Sequence, residues 1–406
     1  MEVPRALTGT RARVVGLVGK HFPTGAHKVG AAFGCLVPRL VAGDYDPTTQ
    51  KAVWPSTGNY CRGGAFDSAL LGCASIAILP EGMSRERFDW LKAIGSQVIA
   101  TPGTESNVKE IYDACAEIRR TRPDCMIFNQ FADFGNPVWH YHSTGPAAAD
   151  AFAALEGDGL RLAGFVSATG SAGTIAAGDF LRARFPALRV AAVEPIQCPT
   201  LMANGFGEHR IEGIGDKHVP WIHNVRNTDL VIGVDDESCM RLLRLFNEPA
   251  GLKRLAGEGL KAADLERLKL LGISGICNLL AAVKLAKHDG LGPDDVVLTV
   301  FTDSVDLYRS RLAELTAERG RYGPDDAGRD LEARLRGAGI DHVKDLTLAE
   351  RQAIHNLKYF TWVEQQGKTS DELRRLWDPE FWEATFGQVA AWDAKIVAFN
   401  RATGLG

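Results

Sequence analysis

The chain has 406 residues, which is enough for two or three packed units. Hydrophobic residues make up 45% of the sequence and charged residues 24%, values that are ordinary for a globular protein. The formal net charge is −4, so no nucleic-acid partner is predicted, and no apolar run approaches the ~20 residues of a membrane span. Residues 1–5 lack the basic start and apolar stretch of a secretory signal, so none is expected.

The predicted elements alternate between strand and helix up to residue 310. Predicted strands cover 51–55, 73–79, 97–101, 125–128, 165–168, 189–195, 229–234 and 296–302. The run 73–79 is continuously apolar, which is typical of a strand in a sheet covered on both faces. Helical spacing follows Ser84, a predicted cap, and begins again from Thr104. This alternation predicts an α/β fold with mainly parallel sheets covered by helices.

The tail from 311 to 406 has a different pattern, without strand signals. Thr347 and Glu350 have the spacing of a capping box that opens a helix. A stripe at helical spacing marks the last helix, at Trp382, Phe386, Val389, Trp392, Ile396 and Phe399. Packing against the rest of the chain is the preferred interpretation of this stripe, and a lid or a subunit interface is the alternative. The tail is therefore predicted to be a helical extension of a body at 1–310.

Cysteine and histidine spacing predicts neither disulfides nor a metal site. Eight cysteines are scattered along the chain, without a C-x-x-C pair or a zinc-like Cys/His spacing. Scattered cysteines are typical of reduced thiols in a cytoplasmic protein. His140 and His142 form a His-x-His spacing, but no second ligand cluster accompanies it.

Lys28 is the first candidate for a catalytic residue. It lies in a run of small and apolar residues from Gly25 to Phe33. Most lysines are solvated surface charges, but partial burial here would lower the pKa of the amine. An amine with a lowered pKa is a competent former of Schiff bases.

Residues 56–59 form the second candidate, Ser-Thr-Gly-Asn directly after a predicted strand. A tight turn at this point exposes backbone N–H groups and small hydroxyls that can bind a carboxylate. Asn59 can donate to a phenolic oxygen of a ring cofactor. An ordinary Gly-Asn turn is the alternative interpretation.

Residues 170–174 form the third candidate, with the sequence Gly-Ser-Ala-Gly-Thr between a predicted strand and a predicted helix. Backbone N–H groups and the positive end of the helix dipole would face an anion such as a phosphate. A plain strand-to-helix turn remains the alternative, because a lone glycine-rich loop is weak evidence.

Asp303 and Ser304 follow the last predicted strand of the body. Ligands bind at the carboxyl ends of parallel strands, so either side chain is a candidate partner of a pyridine nitrogen. A carboxylate and a hydroxyl at this point have different electronic effects on the ring, and the sequence leaves the choice open.

Several motifs occur together in the order of a known family. Residues 79–103 are similar to P-E-x-M-S-x-E-R followed by L-x-A-x-G and T-P-G, and residues 130–146 to Q-F-x-N-P and T-G-P. Residues 192–195 and 211–215 match V-E-P and G-I-G, and residues 302–308 are close to P-D-S-V-x-x-Y. On these motifs the chain resembles the fold-type-II pyridoxal-phosphate enzymes, in particular the cysteine synthase and cystathionine β-synthase group, from about residue 20 to 310.

The resemblance implies a two-domain architecture, with a large domain, a smaller mobile domain at roughly 40–140, and usually a homodimer. It implies pyridoxal 5′-phosphate as the cofactor, with Lys28 as its covalent attachment and catalytic base. It also implies cofactor contacts from Asn59, Gly170, Ser171, Ala172, Gly173, Thr174 and Ser304. Substrate contacts are implied for Ser56, Thr57, Gly58, Tyr60 and Gln130.

The resemblance further implies β-replacement, through an aminoacrylate, on an amino acid with a leaving group on Cβ, such as an O-activated serine, serine or cysteine. A β-elimination lyase that releases a 2-oxo acid and ammonia is the alternative. Two departures bear on the substrate. The run 24–28 is nearer to tryptophan synthase β chains, and Tyr60 replaces a small residue and is expected to reshape the substrate loop.

Overall fold

The computed structural model describes residues 1–104 and 107–405. The strands in these residues are Glu2–Val3 (β1), Arg13–Val18 (β2), Lys51–Pro55 (β3), Ser75–Pro80 (β4), Gln97–Thr101 (β5), Cys125–Ile127 (β6), Arg161–Ala168 (β7), Arg189–Pro195 (β8), Leu230–Val234 (β9), Asp295–Phe301 (β10) and Val343–Asp345 (β11). Each strand predicted from the sequence is confirmed; β3, β5 and β8 have the predicted bounds, and the others have displaced ends. The sequence analysis missed β1, β2 and β11.

Helices connect most of the strands. The α-helices are Arg5–Thr8 (α1), Lys28–Ala42 (α2), Asn59–Leu70 (α3), Arg85–Ala93 (α4), Val108–Thr121 (α5), Gly135–Trp139 (α6), Gly145–Ala153 (α7), Ala176–Arg184 (α8), Thr200–Ala203 (α9), Asp236–Asn247 (α10), Pro249–Gly257 (α11), Ala262–Leu268 (α12), Ile273–His288 (α13), Arg309–Arg319 (α14), Pro324–Asp330 (α15), Leu348–Asn356 (α16), Ser370–Arg375 (α17), Pro379–Gly387 (α18) and Val389–Thr403 (α19). Short 3₁₀ or π-helical segments lie at Gly19–His21, His140–Thr144, Val225–Asn227, Val305–Leu307, Leu331–Arg336 and Tyr359–Val363.

Of the two helix N-caps predicted from the sequence, the structure contains one and lacks the other. Thr347 and Glu350 form the predicted capping box at α16, with the Glu350 backbone N–H donating to Thr347 Oγ1 over 3.2 Å. Ser84 precedes α4 as predicted, but its hydroxyl makes no capping bond, so the capping expectation was wrong in this detail. Of the helical pattern predicted from Thr104, residues 105–106 lie outside the described residues, and α5 begins at Val108.

The larger sheet has seven strands in the order β1-β2-β10-β7-β8-β9-β11. Its strands pair in parallel except at the two edges, where β1 and β11 are antiparallel to their neighbours. The central strand β10 is buried throughout, and α13 is buried along most of its length. Helices cover both faces, which explains the continuous apolar runs in these strands.

The smaller sheet has four parallel strands in the order β5-β4-β3-β6. It lies entirely within 51–127 and has a hydrophobic core of its own that includes Trp54, Leu79 and Phe128. The described residues therefore contain two mainly parallel sheets, which is the predicted fold class. The domain boundaries at 40, 140 and 310 remain predictions.

The extension packs on the body rather than standing apart from it. Tyr322, Leu331 and Leu335 belong to the same buried cluster as the apolar residues of the large sheet. The extension also supplies β11, which pairs with β9. The sequence Val-Lys-Asp of β11 is too short and polar to produce a strand signal, so the expectation of an extension without strands was wrong at this point.

The aromatic stripe is divided between two helices. Trp382 and Phe386 on α18 are buried, Trp392 on α19 is partly buried, and Phe399 near its end is 39% exposed. Phe386 stacks on Tyr141 with ring centroids 4.0 Å apart. Packing against the body is therefore confirmed for the first part of the stripe.

Within the described residues, no single helix has the length and apolar character to cross a membrane; the pair α12 and α13, which meets that test jointly, is bent by 109°.

Candidate functional site

Residues from both sheets line one cleft, at the point where their parallel strands end. Ser56 follows β3, Gly170 follows β7 and Thr302 follows β10. The cleft holds about 610 Å³ of space, its open mouth included. It is lined by these residues of the sequence-predicted set: Lys28, Ser56, Thr57, Asn59, Tyr60, Gln130, Gly170, Ser171, Ala172 and Thr174. The fold therefore brings together four segments that are far apart in the chain, at 28, 56–60, 130 and 170–174.

Lys28 is the first residue of α2, and its amine lies in the cleft. Its Nζ donates to Ser171 Oγ over 2.8 Å and to Gln130 Oε1 over 3.2 Å. Burial lowers the pKa of the Lys28 amine to about 8, and the nearby carboxylate of Asp216 partly opposes this effect. About a tenth of the amine is therefore unprotonated at pH 7, far more than for an ordinary lysine, and this form is the nucleophile.

The loop at 170–174 has the properties of an anion cradle. Within the described residues, none of the backbone N–H groups of these five residues donates to a protein acceptor. Ala172 has a φ of +62°, a left-handed conformation that turns the loop, and α8 begins two residues after Thr174. Unpaired N–H groups at the positive end of a helix bind an anion favourably.

Two histidines lie next to Thr174, the last residue of this cradle. His27 Nε2 lies 3.0 Å from Thr174 Oγ1, and His140 Nε2 lies 3.5 Å from the same oxygen. Burial lowers the pKa of His27 to about 3 and holds the pKa of His140 well below its usual range. Both rings are therefore neutral at physiological pH, and the cradle binds an anion through hydrogen bonds rather than through imidazolium charge. Sequence analysis missed His27 as a site residue.

Asn59 is the first residue of α3, and a hydrogen bond to Asp303 fixes its side-chain amide. Asn59 Nδ2 donates to Asp303 Oδ2 over 2.6 Å, and Tyr308 OH donates to the same oxygen over 2.7 Å. Asn59 Oδ1 is buried and has no partner among the described residues. The side chain is thus held at the cleft with hydrogen-bonding capacity left for a ligand.

Neither candidate for the pyridine nitrogen lines the cleft. Ser304 is buried, and its hydroxyl lies 3.4 Å from both the backbone nitrogen and Oδ2 of Asp306. The carboxylate of Asp303 is used to hold Asn59. The hydroxyls that reach this wall belong to Thr302 and Ser274, whose oxygens are 2.6 Å apart. Sequence analysis missed both of these hydroxyls, because a lone Ser or Thr has no distinctive spacing.

The turn at 56–59 faces the cleft from the small sheet. Gly58 has a φ of +138°, which favours glycine, and a Cβ there would lie 2.4 Å from Arg87 Cδ. The Gly58 backbone N–H donates to Ser56 Oγ over 3.0 Å, and the buried Arg87 guanidinium donates to Thr57 O over 3.1 Å. Arg87 also forms an ion pair with Glu212, so the turn is attached to the loop that follows β8.

Tyr60 lines the cleft, but its side chain is also held in the small sheet. Its hydroxyl donates to Phe128 O over 3.3 Å, and its ring packs edge-on against Trp54 with centroids 5.5 Å apart. It therefore belongs to the core of the small sheet as well as to the cleft wall. In the same region, Gln130 accepts from Lys28 with its oxygen, and its amide nitrogen has no hydrogen-bond partner within the described residues.

The comparisons with known proteins agree with this geometry. The family model described as "Pyridoxal-phosphate dependent enzyme" matches residues 19–303. The chain belongs to this family. The pyridoxal-phosphate dependent enzymes that resemble it include a probable cysteine synthase of Bacillus subtilis, 31% identical over 289 residues, which are 71% of this chain and 85% of that protein.

Two further relatives of this pyridoxal-phosphate dependent enzyme cover more of the chain. Cystathionine beta-synthase of Saccharomyces cerevisiae is 24% identical over 392 residues, which are 94% of this chain and 73% of the yeast protein. The crystal structure of an O-acetylserine dependent cystathionine beta-synthase from Helicobacter pylori superposes with a TM-score of 0.64 at 25% identity. It covers 76% of this chain and 93% of that one.

The cleft fits pyridoxal phosphate on its own chemistry. The cradle supplies N–H and hydroxyl donors for a phosphate, and Lys28 supplies a weakly basic amine for the aldehyde. Asn59 Nδ2 gives one N–H to Asp303 and has a second N–H to donate to the ring oxygen. Within the described part of the chain, no group of three or more His, Cys, Asp and Glu side chains has the arrangement of a metal site.

Proposed function

We propose that this enzyme catalyses β-replacement on an α-amino acid that carries a leaving group on Cβ, with an O-activated serine as the donor. The observation that carries the proposal is the position of the Lys28 amine, between an anion cradle at 170–174 and a carboxylate-binding turn at 56–59. The cysteine synthase relatives support the same reaction type. A transferase is therefore the class of enzyme that fits best.

Each part of the cofactor has a partner of suitable chemistry in the cleft. We assign the phosphate to the backbone N–H groups and hydroxyls of 170–174, the aldehyde to Lys28 Nζ and the ring oxygen to Asn59. Thr302 and Ser274 line the cleft and carry neutral hydroxyls, so we assign to them the pyridine nitrogen that Ser304 was expected to serve. Pyridoxal phosphate, when bound, withdraws electrons from Cα and thereby weakens its C–H bond and the bond to the β leaving group.

Lys28 is the base for the substrate. Its pKa of about 8 lies near the working pH, which is where general bases are most efficient. Lys28 Nζ accepts the proton of Cα, and the leaving group departs from Cβ with its bonding electron pair. After a nucleophile has bonded to Cβ, Lys28 Nζ returns a proton to Cα.

The substrate carboxylate binds at the turn on the small sheet. Ser56 and Thr57 supply hydroxyls there, and Gln130 supplies amide N–H donors next to Lys28. These groups orient Cα toward the amine. The Arg87 bonds to Thr57 and Glu212 hold the turn in the geometry that carboxylate binding requires.

We further propose the domain organisation that the sequence predicted. A catalytic body at 1–310 contains a mobile unit at roughly 40–140, and 311–406 form a helical extension. The separate core of the small sheet supports the first boundary. Exposed apolar side chains on α2 and α19, namely Phe33, Val397 and Phe399, support a homodimer, and eight free cysteines support a reducing, cytoplasmic location.

The test is a product analysis with O-acetylserine and sulfide. The proposal predicts an amino-acid product in which sulfur replaces the acetoxy group. Formation of a 2-oxo acid and ammonia alone would favour the β-elimination alternative. No consumption of O-acetylserine would contradict the proposed donor.

A further inference from the structure

One carboxylate in the cleft has no role in the reaction described so far. Asp216 lies on the loop that follows β8, is only 6% exposed, and lines the cleft together with Lys28. Its Oδ2 is buried and has no hydrogen-bond partner among the described residues. A buried carboxylate oxygen without a partner is costly, so its retention at a ligand site needs an explanation.

The backbone around Asp216 is fixed by three hydrogen bonds. The Gly215 N–H donates to Thr169 O over 2.9 Å, His209 Nε2 lies 2.9 Å from Gly215 O, and Thr200 Oγ1 donates to Asp216 O over 2.7 Å. Gly215 has a φ of +78°, and a Cβ there would lie 2.5 Å from His209 Nε2. The fold therefore holds Asp216 in place through its main chain and leaves the carboxylate oxygen Oδ2 unpaired at the cleft.

Asp303, a buried aspartate that holds a residue of the cleft, has a structural task that Asp216 lacks. Its carboxylate accepts hydrogen bonds from Asn59 and Tyr308. The Asp216 carboxylate does not hydrogen-bond to Lys28, whose amine donates to Ser171 and Gln130. A merely structural role would leave the carboxylate with such a partner.

We propose that Asp216 is the general base for the incoming nucleophile, and that the second substrate is therefore a compound that arrives with its proton on oxygen or nitrogen. This inference rests on the β-replacement reaction proposed above. Hydrosulfide, which is already ionised, needs no such base, whereas water, an alcohol or an N–H compound does.

The proposed step forms one bond to Cβ and breaks one bond to hydrogen in the nucleophile. The lone pair of the nucleophile forms the new bond to Cβ, and the O–H or N–H bond of the nucleophile breaks. The proton moves to the Asp216 carboxylate, while Lys28 Nζ returns the proton that it took from Cα. The proton on Asp216 is then released to solvent, where it offsets the charge of the departed leaving group.

The electrostatic surroundings suit a base. Burial raises the pKa of Asp216 to about 7, and the positive charge of Lys28 limits the rise. The other titratable groups that interact with this carboxylate are the hydroxyl of Tyr112, which lies 3.0 Å from His218 Nε2, and the buried thiol of Cys198. Neither of them carries charge near neutral pH, so Asp216 is poised to exchange a proton there.

The experiment compares two nucleophiles at mildly alkaline pH with O-acetylserine as donor. Pyrazole brings its proton on nitrogen, and hydrosulfide is ionised. In Asp216→Asn, the ratio of the pyrazole rate to the hydrosulfide rate is expected to fall by roughly 10²-fold, the usual contribution of a general base. Equal loss with both nucleophiles, or an unchanged ratio, would overturn the inference.

Asp67→Asn is the matched control. Asp67 lies on α3, is buried, has an unpartnered Oδ2, and has a pKa that burial raises to about 8, but it does not line the cleft. Its substitution is expected to leave the ratio of the two rates as in the unmodified protein. A shift of this ratio as large as that in Asp216→Asn would assign the effect to buried carboxylates in general and overturn the inference.

A second variant keeps the inference testable if Asp216→Asn does not fold. In Asp216→Ala, added formate occupies the space of the carboxylate and is expected to restore the pyrazole reaction at least tenfold, without effect on the hydrosulfide reaction. Failure of formate to act selectively would contradict the role of a base. If the unmodified protein forms product with neither nucleophile, the proposed β-replacement itself fails, an outcome distinct from an unchanged ratio.

Discussion

The side-chain amide of Asn59 donates to the carboxylate of Asp303 over 2.6 Å, across the boundary between the two sheets. Asp303 is completely buried, and burial raises its pKa while the charge of Arg87 opposes this effect. The partners are 244 positions apart in sequence, so this bond is a long-range contact, and it fixes the side chain proposed to bind the cofactor. Asp303 is therefore expected to act on the cofactor through Asn59 rather than directly.

Asp303→Asn is expected to weaken pyridoxal-phosphate binding by about tenfold, because a hydrogen bond to a charged group contributes roughly 1.5–3 kcal/mol. The dissociation constant is measured by quenching of protein fluorescence when the apoprotein is titrated with the cofactor. Ser304→Ala is the comparison, and its dissociation constant is expected to change by less than about threefold, since Asp306 is the only hydrogen-bond partner of its hydroxyl among the described residues. An equal or larger loss in Ser304→Ala would contradict this assignment.

Thr302→Val tests which hydroxyl serves the ring nitrogen. Thr302 lines the cleft and Ser304 does not, so Thr302→Val is expected to weaken cofactor binding several-fold more than Ser304→Ala. The magnitude corresponds to about 1 kcal/mol, typical of one neutral hydrogen bond. Equal dissociation constants for the two variants would show that the hydroxyl of Thr302 does not bind the cofactor.

The sequence predicted those parts of the fold that have a local signal. The strands β3, β5 and β8 have the predicted bounds because each is a compact run of apolar residues between polar turns. In contrast, β11 is a three-residue Val-Lys-Asp strand whose formation depends on β9, a partner more than one hundred residues away. Pairing of that kind is decided by tertiary packing, which no short window of sequence contains.

The site was predictable where several small residues occur together. The glycine-rich loop at 170–174 and the run around Lys28 each form a local pattern, and the fold brings them together. Asp216 and Thr302 were not identified because they are single polar residues, and their meaning depends on burial and on what they face. The choice between Asp303 and Ser304 required geometry, because adjacent residues at a strand end point in different directions.

The pH dependence of cofactor capture tests the state of Lys28. Only the unprotonated amine attacks the aldehyde, and burial lowers the pKa of Lys28 to about 8, compared with 10.5 for an ordinary lysine. The rate of capture by apoprotein is therefore expected to rise about tenfold per pH unit below 8 and to level off above it. A rate that continues to rise toward pH 10 would contradict a buried amine.

Asp216→Asn is expected to move this profile to lower pH. The carboxylate of Asp216 raises the pKa of Lys28, so its removal leaves the amine unprotonated over a wider range. Stopped-flow absorbance of cofactor capture gives both midpoints. A profile that does not move, or that moves to higher pH, would show that the two groups do not interact electrostatically.

Lys358→Met tests how the extension is attached. Lys358 is fully buried, and its Nζ donates to Trp221 O over 2.9 Å and to His223 O over 2.7 Å. The substitution removes the Lys358 bond from the buried Trp221 carbonyl and one of the two bonds to His223 O, which also accepts from the Val225 N–H. It is therefore expected to lower the free energy of unfolding in urea by roughly 1–3 kcal/mol. Lys395→Met, at an exposed position on α19, is the control and is expected to change it by less than about 0.5 kcal/mol. Equal stability of the two variants would contradict this role.

The most direct measurement is to reduce the holoenzyme with borohydride, digest it and locate the cofactor by mass spectrometry. Burial lowers the pKa values of both Lys28 and Lys358, but of these two lysines Lys28 alone lines the cleft. The account predicts one phosphopyridoxyl group on the peptide that contains Lys28, and none in Lys28→Ala. Attachment at Lys358 or another lysine, or no stable adduct at all, would contradict it.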